Sequence, residues 1–126
     1  MKDKGGILLI AARDFAVAGD LEGWARQNGH RLVCVDTIKD VLMTLQQERV
    51  NVLVLDALFP EELGYETIAI IKGLSHKLPI IITAEENNPQ LESRIRQQGI
   101  FYYHVRSFGP EDLMLAITNA MERSSH

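Results

Sequence analysis

Five short apolar runs, each too short to be a helix, alternate with five segments of helical periodicity. That alternation restricts the fold more than any single residue does. The runs are Gly6–Ala11, Leu32–Val35, Val52–Leu55, Pro79–Thr83 and Ile100–Val105, rich in Ile, Val, Leu and aromatics. Val52-Leu53-Val54-Leu55 has no polar break, which reads as a strand buried on both faces. Between the runs, Ile38, Val41, Leu42 and Leu45 repeat at three and four, opposite Lys39, Asp40, Gln46 and Gln47. Leu113, Ala116, Ile117, Ala120 and Met121 make the same stripe, behind Pro110 with Glu111 and Asp112 in a first turn. Val17, Leu21, Trp24, Ala25 and Asn28 give a first helix closed by Gly29. Ile68, Ile71 and Leu74 mark a third helix, and a more polar fourth around Leu91 and Ile95 stops at Gly99.

Strict alternation with short connections implies an α/β fold, a parallel sheet doubly wound by helices on both faces. Five strands joined by right-handed crossovers favour the flavodoxin-like (βα)5 order 2-1-3-4-5. The first and third strands are then neighbours, and their carboxyl ends, near Ala11–Arg13 and Asp56, share one crevice. Asp56 ends the most apolar run and precedes a loop marked by Pro60 and Gly64. A carboxylate at that rim stands where open α/β sheets place their chemistry.

A chain of 126 residues is expected to form a single domain, with residues 122–126 a frayed tail or the start of a linker. Its net charge of −4 argues against direct contact with nucleic acid, which needs a basic face. No apolar stretch approaches the ~20 residues of a membrane span, and the opening residues do not form a signal peptide. A cytoplasmic location is expected. The lone Cys34 reads as a small buried hydrophobe. His30, His76, His104 and His126 have no metal-ligand spacing, and no nucleophile–histidine pair or phosphate-binding glycine loop is present.

In element order and spacing the chain resembles the receiver domain of bacterial two-component response regulators. The carriers are Leu55-Asp56 with the D-x-x-x-P-x-x-x-G pattern to Gly64, Pro79 through Thr83-Ala84, and Tyr103 in the fifth run. The resemblance makes Asp56 the acceptor of a phosphoryl group from a partner histidine kinase, with Thr83 and Tyr103 as switch residues. It also implies Mg²⁺, held in such domains by two acidic residues ending the first strand, the acceptor, and a carbonyl two residues on, here that of Leu58. A lysine after the fifth strand completes the family's site.

This sequence departs from that pattern at the acidic pair and at the lysine. Ile10-Ala11-Ala12-Arg13-Asp14 stands at the acidic pair. One alignment puts Ala11 and Ala12 on it, another Ala12 and Arg13, and neither supplies two carboxylates. Asp14 reads as a helix N-cap. Magnesium demands hard oxygen ligands, so binding is expected to be weak or absent and no metal site is assigned. Arg106-Ser107 replaces Lys-Pro, and a guanidinium suits bidentate carboxylate pairing, so one expectation is that Arg106 or Arg13 pairs with Asp56, and the other is that Arg106 points into solvent from its loop. In Phe101-Tyr102-Tyr103, alternation is expected to put Phe101 and Tyr103 on one face and Tyr102 and His104 on the other.

The favoured function is a degenerate, non-enzymatic receiver acting by protein contact. The expected surface is the face of the fourth helix, fifth strand and fifth helix, against a sensor kinase, an output domain or itself as a homodimer. A receiver still phosphorylated on Asp56 is the alternative. A small-ligand binder or enzyme on a flavodoxin-like scaffold is more remote, because fold does not fix function.

Overall fold

The computed structural model describes residues 6–14, 16–59 and 64–124. Pro60, His126 and the end of the expected tail lie outside them. The elements run β1 (Ile7–Ala11), α1 (Ala16–Gln27), β2 (Arg31–Val35), α2 (Ile38–Gln47), β3 (Val50–Asp56), α3 (Gly64–Leu74), β4 (Ile80–Ala84), α4 (Pro89–Arg96), β5 (Tyr102–Val105) and α5 (Pro110–Ser124). The five strands form one parallel sheet in the order β2-β1-β3-β4-β5, the doubly wound topology the alternation predicts.

Period-two alternation divides the core into two layers. Leu9, Ala11, Leu53, Leu55, Ile80 and Ile82 face α2, α3 and α4, where they meet Val41, Ile68, Ile71 and Ile95. Leu8, Ile10, Val52, Val54 and Ile81 face the other way, against Leu21, Leu113, Ile117 and Ala120 of α1 and α5. All four residues of the Val52–Leu55 run are buried, as a central strand covered on both sides requires.

The local signals act where the sequence places them. Gly29, at φ 76°, ends α1, and the amide of His30 reaches the Ala25 carbonyl at 2.8 Å across the turn. Gly99, at φ 81°, does the same after α4. The Thr37 hydroxyl accepts the Asp40 amide at 3.1 Å to open α2, and the Asn88 side chain accepts the Leu91 amide at 3.1 Å to open α4.

Two packing expectations are corrected. Leu74 is 64% exposed: it occupies the last position of α3, and Thr67 is buried alongside Ile68 and Ile71. Phe101 does not share a face with Tyr103. It precedes β5, which begins at Tyr102, so strict alternation does not reach it. Phe101 packs with Tyr102 on the α1–α5 side, while Tyr103 and Val105 face the opposite layer. Tyr102 and His104 do share a face, with stacked rings 6.2 Å apart.

Candidate functional site at the carboxyl edge of the sheet

β1 and β3 pair in parallel with Ala11 opposite Leu55, so Ala12 and Arg13 come level with Asp56 as the strands end. A crevice of about 370 Å³ opens there, lined by Ala12, Arg13, Asp14, Asp56, Glu85 and Arg106 among others. Alternation turns Asp56 toward the α1–α5 side, and its Oδ1 accepts the Leu58 amide at 3.1 Å. The loop beyond is pinned to the sheet. The Ala57 amide donates to the Thr83 carbonyl at 2.8 Å, the Phe59 amide donates to the Asp56 carbonyl at 3.0 Å, and the Phe59 ring is fully buried.

Ala12, at a position where the resemblance implies an acidic residue, is 4% exposed. Ala11 is fully buried in the other layer, beside Leu55 and Ala57, and does not line the crevice. Arg13 is exposed at the rim. The Asp14 carboxylate accepts the Ala16 amide at 3.0 Å, which is the N-terminal capping role expected of it.

The expected pairing of an arginine with Asp56 is not what the structure contains. The Arg106 guanidinium spans the crevice mouth, 3.8 Å from Glu85 and 4.0 Å from Asp20. Among the described residues no ion pair joins Arg106 or Arg13 to Asp56. The reason lies in the single 3-10 turn of Arg106–Phe108 that leads into α5, from which the side chain meets the exposed rim carboxylates first.

Burial therefore dominates the acidity of Asp56 and pushes its pKa above the ordinary carboxylate range. The Leu58 amide opposes that shift, Asp14 and Glu85 add to it, and the more distant Arg106 charge opposes it weakly. The folded protein thus holds this proton more tightly than the unfolded chain does. Stability from the neutral carboxyl is full below the ordinary carboxylate pKa and is lost as pH rises through the raised folded value. Asp56→Asn, which can still accept the Leu58 amide, should melt higher than the parent at neutral pH. The gap should close as pH falls into the carboxylate range; thermal melts across pH would expose a gap of the wrong sign.

Thr83 and Tyr103, which the resemblance makes switch residues, do not line the crevice. Thr83 is buried and in register with Asp56 on the neighbouring strand. Tyr103 lies one strand further out, on the opposite layer, 5% exposed and beneath the Arg96 guanidinium at 5.9 Å. Its hydroxyl is buried without a hydrogen-bond partner among the described residues. A tyrosine anchored by its hydroxyl would be ordinary core, but this one is not so anchored.

Among the described residues no three His, Cys, Asp or Glu side chains converge. Asp56 faces a methyl group, Asp14 is engaged by backbone, and Glu85 is engaged by Arg106. Mg²⁺ needs near-octahedral oxygen coordination, usually with more than one anionic ligand.

A five-stranded parallel sheet with this order and a carboxylate ending β3 defines a CheY-like receiver fold. Residues 8–118 match the response regulator receiver domain, and the chain belongs to that family, a signalling module of two-component systems. It is 29% identical over 94% of its length to the uncharacterized transcriptional regulatory protein YbdJ of Bacillus subtilis, covering 52% of that protein. It is 31% identical over 74% of its length to the two-component response regulator ORR11 of Oryza sativa, covering 65% of that protein. The chain thus spans about half to two thirds of these relatives. A CheY-like receiver domain protein from Methanospirillum hungatei superimposes with a TM-score of 0.82 at 18% identity, over 95% of this chain and 96% of that one. The beryllofluoride-activated NtrC4 receiver domain dimer superimposes at 0.83 and 19% identity, over 94% and 98%. Among the described residues no helix is long and apolar enough to cross a membrane.

Proposed function

We propose that this receiver signals by protein–protein contact without magnesium-assisted phosphorylation of Asp56. The observation that carries the reading is Ala12, a buried methyl level with the acceptor where a metal-binding carboxylate belongs. Phosphoryl transfer to a carboxylate brings anionic groups together, and catalysis there rests on positioning and charge neutralisation. At this crevice the arginine nearest the role is engaged by rim carboxylates, and burial favours the neutral form of Asp56.

The contact surface in this reading is α4-β5-α5, toward a sensor kinase, an output domain or a second copy. Tyr103 supports it, being packed inward under Arg96, an arrangement suited to a face kept in one state. Leu115 on α5 is 61% exposed and supplies apolar area. The acidic balance of the chain favours proteins over nucleic acid as direct partners, in a cytoplasmic setting.

A phosphorylatable receiver is the second reading, supported by Arg106, whose charge lines the crevice and is only 27% exposed. Acetyl phosphate and Mg²⁺ followed by intact-mass measurement separate the two. The favoured outcome is an unchanged mass. A stoichiometric phosphoryl adduct, absent from Asp56→Asn, would establish the second reading instead.

A further inference from the structure

The opposite pole of the domain carries a second cavity of about 470 Å³, between the α3–β4 loop, the entry to β5 and the end of α5. Its charged lining is wholly cationic: Lys72, Lys77 and Arg123 contribute, with His76 beside them, and no Asp or Glu does. That is unexpected in a chain with 17 acidic residues against 13 lysines and arginines. Among the described residues no carboxylate lies within ion-pairing distance of any of the four. Helix dipoles account for Lys72 and Arg123, which sit in the last turns of α3 and α5. They do not account for Lys77, which stands on the loop.

Two of the cations are held in place. The Lys72 ammonium donates to the Gly99 carbonyl at 3.0 Å and to the His76 carbonyl at 3.5 Å, leaving a third N–H for another acceptor. The Arg123 guanidinium lies over the Phe101 ring, 5.7 Å from its centroid. Gly99 is in the left-handed region, so the carbonyl that fixes Lys72 belongs to a backbone turn only glycine adopts without strain. The rest of the wall combines apolar Leu78, Pro79, Ile100 and Phe101 with Gly99 and Ser124. Fixed cations beside an apolar wall, in a cavity of the size small-ligand sites have, form the lining a small anionic organic molecule needs.

We infer that this cavity binds a small phosphorylated organic molecule, with its phosphate on Lys72, Lys77 and Arg123 and its body against Pro79 and Ile100. Lysine and arginine donors match phosphate oxygens. The site does not depend on the fate of Asp56, which lies at the other end of the sheet.

Titration of ¹⁵N-labelled protein at low salt with ADP, inorganic pyrophosphate and adenosine tests the inference. ADP should give saturable amide shifts confined to Lys77, Leu78, Ile100, Phe101 and their neighbours, weakening as salt rises. Adenosine should give none, and pyrophosphate should bind more weakly than ADP. Lys77→Glu combined with Arg123→Glu alters two exposed side chains and spares the Lys72 anchor. It should lower ADP affinity about tenfold or more while the rest of the spectrum stays folded. Three results would overturn the inference: no saturable shift with ADP, equal affinity for ADP and pyrophosphate (an adventitious ion only), or unchanged affinity in the double variant.

Discussion

Ala12→Asp together with Arg13→Asp should give the crevice a magnesium affinity in the millimolar range, about −4 kcal/mol at standard state, that the parent lacks. β1 and β3 already bring these positions level with Asp56, and a crevice of about 370 Å³ leaves room for an ion with its waters. Without metal, the added carboxylates repel Asp56 and one replaces a buried methyl, so the variant should melt below the parent in EDTA. Magnesium at ten times its dissociation constant should return about 1.4 kcal/mol by mass action. The parent's melting temperature should not respond. With the ion bound, acetyl phosphate should label Asp56 in the variant. A parent that responds to magnesium as strongly as the variant does would show that Ala12 is no obstacle.

Phe59→Ala carries the second large expected effect, a loss of about 3–5 kcal/mol in urea unfolding. Phe59 is fully buried in the layer formed with Leu55, Ala57 and Ile68, three residues past Asp56. Its backbone amide returns to the Asp56 carbonyl, so ring and hydrogen bond together hold residues 57–59 at the end of β3. Removing the ring leaves a cavity beneath the residues that position Asp56 and Leu58. A loss below about 1 kcal/mol would mean that the surrounding layer closes over the space, and that the loop is held by backbone bonds alone.

The sheet was readable because its determinants are local. Val52–Leu55 is unbroken, Gly29 and Gly99 stop two helices, and the stripe of α5 repeats without error. The crevice followed from topology, since neighbouring β1 and β3 must end together. Side-chain partners were harder to read. Arg106 chooses between Asp56, Asp20 and Glu85 by distances across three elements, which no spacing in the chain encodes. Alternation alone puts Phe101 in the wrong layer because one residue decides where β5 starts, and a shift of one residue becomes a change of face. Burial of Phe59 passed unnoticed for a related reason: a lone aromatic in a loop belongs to no periodic pattern. The cationic cavity combines residues as far apart in sequence as Lys72 and Arg123, each ordinary on its own.

One side chain near the start of β3 has a practical consequence. Asn51 accepts the Ile7 amide at 2.8 Å and donates to the Ser124 hydroxyl at 3.3 Å, and a Cβ at Gly6 would run into it. The first strand and the last helix are therefore fastened at one point, at the opposite end of the sheet from Asp56. A short peptide could join them, making the domain a natural subject for circular permutation or for grafting as an insert into a host protein's surface turn.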